Sequence, residues 1–135
     1  MTKPFGISPK ALLRDRTGRI LVLQRSSKSS FWPGQWDFVG GKIDPGETFD
    51  QALIREAREE AGLDIELTGF TGAVEHELPR VRVIFLIMEA RVIGGELELS
   101  HEHEAHRWVS DEELMKMDLA GPLAAALRSA PRWNS

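Results

Sequence analysis

The stretch GGKIDPGETFDQALIREAREEAGL, Gly40 to Leu63, constrains the fold more than any other part of this chain. It carries both a start and a stop signal for one helix. Thr48 suits the N-cap, where a hydroxyl accepts from an unpaired N–H of the first turn, and Gly62 stands just past the last turn, where helices commonly end. Between them Leu53, Ile54, Ala57 and Ala61 share a broad apolar side, while Glu56, Glu59 and Glu60 share another, because spacings of three and four residues bring side chains together. A helix divided in this way lays its apolar side on a second layer and keeps its carboxylates at the surface or in a site.

The second layer is legible as strands. ALLRDRTGRILVLQR reads as two strands around a turn at Asp15–Gly18, and DFVGGKID as a short strand and turn. LDIELTGFTGAVEHEL gives short strands. RVRVIFLIMEARVI is the most strand-like run, with Gly94-Gly95 turning it toward ELEL, and HRWVS is a further short strand. SDEELMKM, capped by Ser110, and GPLAAALRSA, started by Pro122, read as helices. Residues 1–135 show no repeat and no dividing linker. The expectation is one α+β domain, a mixed sheet with helices packed against it.

Composition narrows the function classes. With 41% apolar and 28% charged residues the chain has the makeup of a globular protein. A formal charge of −4 disfavours duplex nucleic acid as a partner, while small anionic ligands stay open through a local basic patch or a metal. There is no cysteine, which excludes disulfides, thiol catalysis and zinc–thiolate sites. The segment MTKPFGISPK lacks the apolar core of a secretion signal, and VIFLIM is far too short to span a membrane, so a cytoplasmic location is expected.

Three carboxylates on one helix face repel one another, and away from bulk water they resist ionisation. A divalent cation resolves the conflict, and hard oxygen ligands select magnesium, manganese or calcium. REAREE on its own has a plainer reading, a surface helix with Arg55 and Glu59 as an i,i+4 ion pair.

The longer spacing separates the two. Gly41, Glu47, Arg55-Glu56, Glu59-Glu60, Gly62 and Leu63 resemble the Nudix box, GX5EX7REUXEEXGU, in all seven fixed identities. Chance alone gives such a match at one start position about once in 10⁸. One bulky aliphatic position departs from the pattern, being Ala57, so packing under the helix is expected to come from the sheet side. Outside the box, Arg25, Trp36 and the Gly40-Gly41 pair fit the family, with Val39 where a proline is usual. EHEAHRWVSDEEL resembles its late Glu-containing loop, Trp-bearing strand and short helix.

The resemblance implies a Nudix hydrolase fold, a mixed, curved β-sheet sandwiched between α-helices. It implies hydrolysis of a nucleoside diphosphate linked to another group, with Mg²⁺ or Mn²⁺ as cofactor. Carried over position by position, Glu56, Glu59, Glu60 and the Gly41 carbonyl are the implied metal ligands, and Glu47 orients Arg55. A metal inverts the local charge that would otherwise repel a diphosphate, and the remaining catalysis is positioning and charge stabilisation. The general base is Glu56 or, in the late loop, Glu102 or Glu104. HEHEAH reads equally as a solvated turn, and His101, His103 and His106 lack a zinc-binding spacing.

Substrate contacts are less defined. Arg25 and Lys28, and less directly Arg14, suit phosphate oxygens, or are solvated strand-end charges. Trp32 stacks on a base or packs as a lid residue. Trp36, Trp108 and Phe85 read as structural. Asp118 contacts a base or caps a helix. Pro79 falls where many ADP-ribose hydrolases carry a proline, but ELPR is also an ordinary turn. The expected substrate is a nucleoside triphosphate, standard or oxidised, cleaved to monophosphate and pyrophosphate. ADP-ribose or a nucleotide sugar is the alternative, and a non-catalytic nucleotide sensor is a second class. Monomer and homodimer both stay open.

Overall fold

Period-two alternation builds the central hairpin. In the computed structural model, which describes residues 3–129, strand β1 runs Phe5–Arg14 and β2 runs Ile20–Arg25. Leu12, Ile20 and Val22 face one side of the sheet, while Leu13, Leu21 and Leu23 face the other. All six are fully buried, so both faces of this hairpin are covered. Each such side chain stabilises the fold by roughly 1.5–3 kcal/mol relative to leaving it exposed.

The remaining strands are β3 (Trp36–Asp37), β4 (Val39–Gly40), β5 (Leu63–Glu77), β6 (Arg82–Gly95) and β7 (His103–Val109). The order across the sheet is β3-β2-β1-β6-β5, with β4 also on β1 and β7 also on β2. Among the described strands β1 and β6 pair in parallel, in register from Phe5↔Arg82 to Arg14↔Arg91, and the other strand pairs are antiparallel. Helix α1 (Phe49–Ala61) covers one face through Leu53, Ala57 and Ala61, all fully buried. Helices α2 (Asp111–Leu114) and α3 (Leu123–Ser129) cover the other through Leu114, Leu123 and Leu127. The expected α+β sandwich is therefore the observed one. Ala130, the last residue of the expected third helix, lies outside the described residues.

Local expectations mostly hold, with three corrections. Thr48 caps α1 through a reciprocal box with Gln51, and Gly62 ends it in a left-handed conformation (φ 69°). Leu63–Glu77, expected as short strands, is one strand of 15 residues. Irregularities at Asp64/Ile65, Leu67/Gly69 and Phe70/Gly72 let it bend along β6 without breaking. Gly94-Gly95, expected as a turn toward ELEL, are instead the last residues of β6, paired with Asp64 and Leu63, and ELEL (96–99) is not a strand. It crosses the end of α1, where the Glu98 N–H donates to Ala61 O (2.9 Å) and Leu97 and Leu99 pack on the core. His103, in the stretch also read as a solvated turn, begins β7 and is buried. No helix among the described residues is long and apolar enough to cross a membrane.

Candidate active site

The Gly40–Gly41 turn and the polar side of α1 meet at one end of the sheet. Gly40 lies at φ 154°, and a Cβ there would stand 2.2 Å from Pro9 O, so only glycine lets β4 approach β1 this closely. That approach aims the Gly40 N–H at Glu60 Oε1 (2.9 Å). At Gly41 the crowding atom is different: a Cβ would lie 3.0 Å from Glu56 Oε1. The missing side chains are what bring the chain up to two of the expected metal ligands.

Arg55 organises the rest. Its Nε and Nη2 donate to Glu47 Oε2 and Oε1 (2.8 and 3.0 Å), a bidentate fork. Nη1 donates to Glu56 Oε1 (2.9 Å) and Glu59 Oε2 (3.2 Å), and Nη2 also reaches Lys42 O (3.0 Å). Glu47 is set by the Asp44–Glu47 turn, taking the Asp44 N–H on Oε1 (2.8 Å). The implied role of Glu47 thus has a geometric counterpart, and the plain i,i+4 pair is present inside the larger network. Hydrogen bonds from Arg55 hold the Glu47 carboxyl below its usual range, and those same contacts raise the Arg55 pKa.

Glu60 is only 5% exposed. Burial pushes its pKa well above the usual carboxylate range and the adjacent Glu56 adds to the rise, while Lys10 and the Gly40 N–H oppose it. Among the described residues, no three His, Asp or Glu side chains converge closely enough to enclose an ion as they stand. Arg55 accounts for this by drawing Glu56 and Glu59 to itself. The donor set nevertheless fits a hard divalent cation. Glu56 and Glu60 are neighbouring carboxylates with a glycine backbone beside them, and Glu60 is short of positive charge.

Sequence reasoning missed three buried polar residues behind Glu60. Lys10 Nζ donates to Asp37 Oδ2 (3.0 Å), with side-chain exposures of 8% and 2%. Arg25 Nη1 shares that oxygen (2.9 Å). His103 Nε2 stands 3.6 Å from Glu60 Oε2, beyond hydrogen-bond reach, and its buried Nδ1 has no partner among the described residues. Burial lowers the His103 pKa, Arg25 and Lys10 push the same way, and Asp37 and Glu102 oppose them. The one available signal was Lys10 itself, a lone charge in an otherwise apolar run.

The substrate candidates divide. Arg25, Lys28 and Glu102 line one cleft of about 350 Å³, together with Ser26, Ser29 and His101. The turn that carries Glu102 is latched to α1, because the Ser100 N–H donates to Glu60 O (3.1 Å). Glu104 instead accepts from Ser27. Trp32 packs with His76 and Phe85 (centroids 5.8 and 5.9 Å) and against Gly121, which is the lid-packing alternative. Asp118 caps no helix among the described residues; its Oδ1 accepts from Gln35 Nε2 (2.9 Å) and it stays exposed. Arg14 is occupied by Glu89 and Asp111, a structural role. Pro79 sits in the Leu78–Val81 turn that joins β5 to β6.

Comparison with known proteins assigns the chain to a family. The family model described as NUDIX domain matches residues 4–130. The chain is 37% identical over 111 residues to the CTP pyrophosphohydrolase of Escherichia coli K12, covering 82% of this chain and 80% of that one. It is 29% identical over 113 residues to the E. coli nucleoside triphosphatase NudI, covering 76% and 80%. The crystal structure of the MutT protein from Methanosarcina mazei Go1 superposes with a TM-score of 0.86 at 33% identity, covering 100% of this chain and 99% of that one.

Proposed function

The chain belongs to the Nudix hydrolase family and is a hydrolase, and from that premise we propose that it cleaves a nucleoside triphosphate to monophosphate and pyrophosphate with Mg²⁺. The observation that carries the reading is the placement of buried Glu60 and its neighbour Glu56 against the close Gly40–Gly41 turn, where a carboxylate this deeply buried favours a proton or a cation as partner. Similarity to a CTP pyrophosphohydrolase and to a nucleoside triphosphatase supports the substrate class. Glu56, Glu59, Glu60 and the Gly41 carbonyl would hold the cation, which neutralises phosphate oxygens and acidifies water when bound.

The chain's own residues do the remaining work. Glu47 holds Arg55, whose Nη1 fixes one carboxylate oxygen each of Glu56 and Glu59 on the polar side of α1. Lys28 and Arg25, on the cleft, face the phosphate chain; Arg25 has three donor contacts within the protein and keeps two N–H groups for the ligand. Glu102 lines the same cleft and takes the proton of the attacking water.

The test is a panel of canonical and oxidised triphosphates, ADP-ribose, sugar nucleotides and dinucleoside polyphosphates, given to wild type and Glu59→Gln with Mg²⁺. Cleavage of a triphosphate by wild type, lost in the variant, supports the proposal. Preference for ADP-ribose or a sugar nucleotide moves the substrate class. Tight binding of one nucleotide without turnover marks a sensor and overturns it.

A further inference from the structure

The segment 26–33 leaves β2 at Arg25 and returns at Gly34, closed by Arg25 N–H on Gln35 O (2.8 Å) and Gly34 N–H on Arg25 O (3.0 Å). Its two halves are fastened separately. On one side Arg25 Nε donates to Phe31 O (2.8 Å) and Nη2 to Ser29 Oγ (2.8 Å). On the other, Glu104 Oε1 accepts from both the N–H and the hydroxyl of Ser27 (2.9 and 3.0 Å). The Ser26 hydroxyl and the Lys28 charge act on the same carboxylate. The Ser26 N–H is spent on Glu102 O (3.0 Å), which leaves the Glu102 carboxylate to the cleft.

We propose that Glu104 is a positioning residue: it fastens the loop tip at Ser27 and so sets Lys28 over the cleft to meet the phosphate chain of the substrate. The inference rests on the triphosphate reading for its ligand. It separates two carboxylates that sequence alone leaves equivalent. Glu104 holds the loop through its side chain, with Oε1 taking both Ser27 donors, whereas Glu102 is attached to the loop by its backbone carbonyl. An order of magnitude in ligand affinity is the expected worth of such a charge-assisted contact.

Two measurements on the full chain test it. Trypsin cuts after Lys28, and cleavage of a native loop follows its local opening. Glu104→Ala is expected to cut about tenfold faster at Lys28 with the melting temperature unchanged, and Glu104→Gln, which keeps an acceptor oxygen, to fall back toward wild type. In turnover of CTP, Glu104→Ala is expected to raise KM about tenfold while kcat stays within about twofold and the acid limb of its pH profile is kept. Lys28→Ala added to Glu104→Ala is expected to cost little more, since both remove one contact. An unchanged cutting rate overturns the fastening, and an unchanged KM overturns the role of Lys28. A fall in kcat of about a hundredfold with loss of the acid limb makes Glu104 the base instead. If no triphosphate is turned over, the functional reading fails, while the trypsin result still decides whether Glu104 holds the loop.

Discussion

Replacing the two adjacent glycines one at a time separates what holds the fold from what holds the site. In Gly40→Ala the new Cβ meets Pro9 O at 2.2 Å and Lys10 Cα at 2.9 Å, both backbone atoms. Neither can give way without moving β4 off β1 by about 1 Å. The movement also removes the Gly40 N–H from Glu60, worth about 1.5–3 kcal/mol for a charged acceptor, and the φ of 154° strains alanine by about 1–3 kcal/mol. A loss of roughly 3–5 kcal/mol follows, a large part of the stability of a domain this size, lowering Tm by roughly 10–20 °C. In Gly41→Ala the Cβ meets Glu56 Oε1 at 3.0 Å, the far end of a flexible side chain. The fold loses less than about 1 kcal/mol, but Glu56 is pushed from its place, and Mn²⁺ affinity and turnover fall about ten- to hundredfold. Thermal melts and Mn²⁺ titration of both variants decide the matter. Gly40→Ala melting within a few degrees of wild type, or Gly41→Ala being the less stable of the two, would refute the steric reasoning.

Three other outcomes are expected. Lys10→Ala leaves Asp37 and Glu60 buried with less compensation and costs about 3 kcal/mol in urea unfolding, whereas a cost below about 1 kcal/mol would show the pair is not needed. Glu60 has its pKa raised in the fold, so its contribution to metal-free stability is complete below the ordinary carboxylate pKa and is lost as pH rises through the raised value. Urea unfolding in EDTA should show that loss with rising pH in wild type and not in Glu60→Gln. Arg55→Lys keeps the charge but not the fork that serves Glu47, Glu56 and Glu59 together; kcat is expected to drop about ten- to hundredfold with the circular dichroism spectrum unchanged.

What the sequence disclosed was what is local. The cap at Thr48, the stop at Gly62 and the hairpin around Asp15–Gly18 depend on neighbours a few residues away, and they were legible, although β1 begins at Phe5 rather than at the expected Ala11. The box spacing brought Glu47, Arg55 and Glu56 together because one turn and one helix position all three, and the structure joins them by hydrogen bonds. The length of β5 was not legible, because its irregularities pass for strand ends until β6 is paired along it. Nor was the coil at 96–99, whose alternating Leu97 and Leu99 serve packing on α1 rather than a ladder. The buried set of Lys10, Asp37 and His103 joins β1, β3 and β7, and no spacing along the chain reports a contact assembled by the sheet. Glu102 and Glu104 looked alike because their difference lies in Ser27, 77 positions from Glu104.

The most direct test is one measurement: the wild-type chain with each canonical nucleoside triphosphate and Mg²⁺ in ¹⁸O-labelled water, with products read by mass spectrometry and Glu56→Gln alongside. The nucleoside monophosphate and pyrophosphate are expected in equal amounts from at least one triphosphate, one product carrying a single ¹⁸O, and nothing from the variant. Release of inorganic phosphate in place of pyrophosphate, or equal turnover by Glu56→Gln, would contradict that expectation.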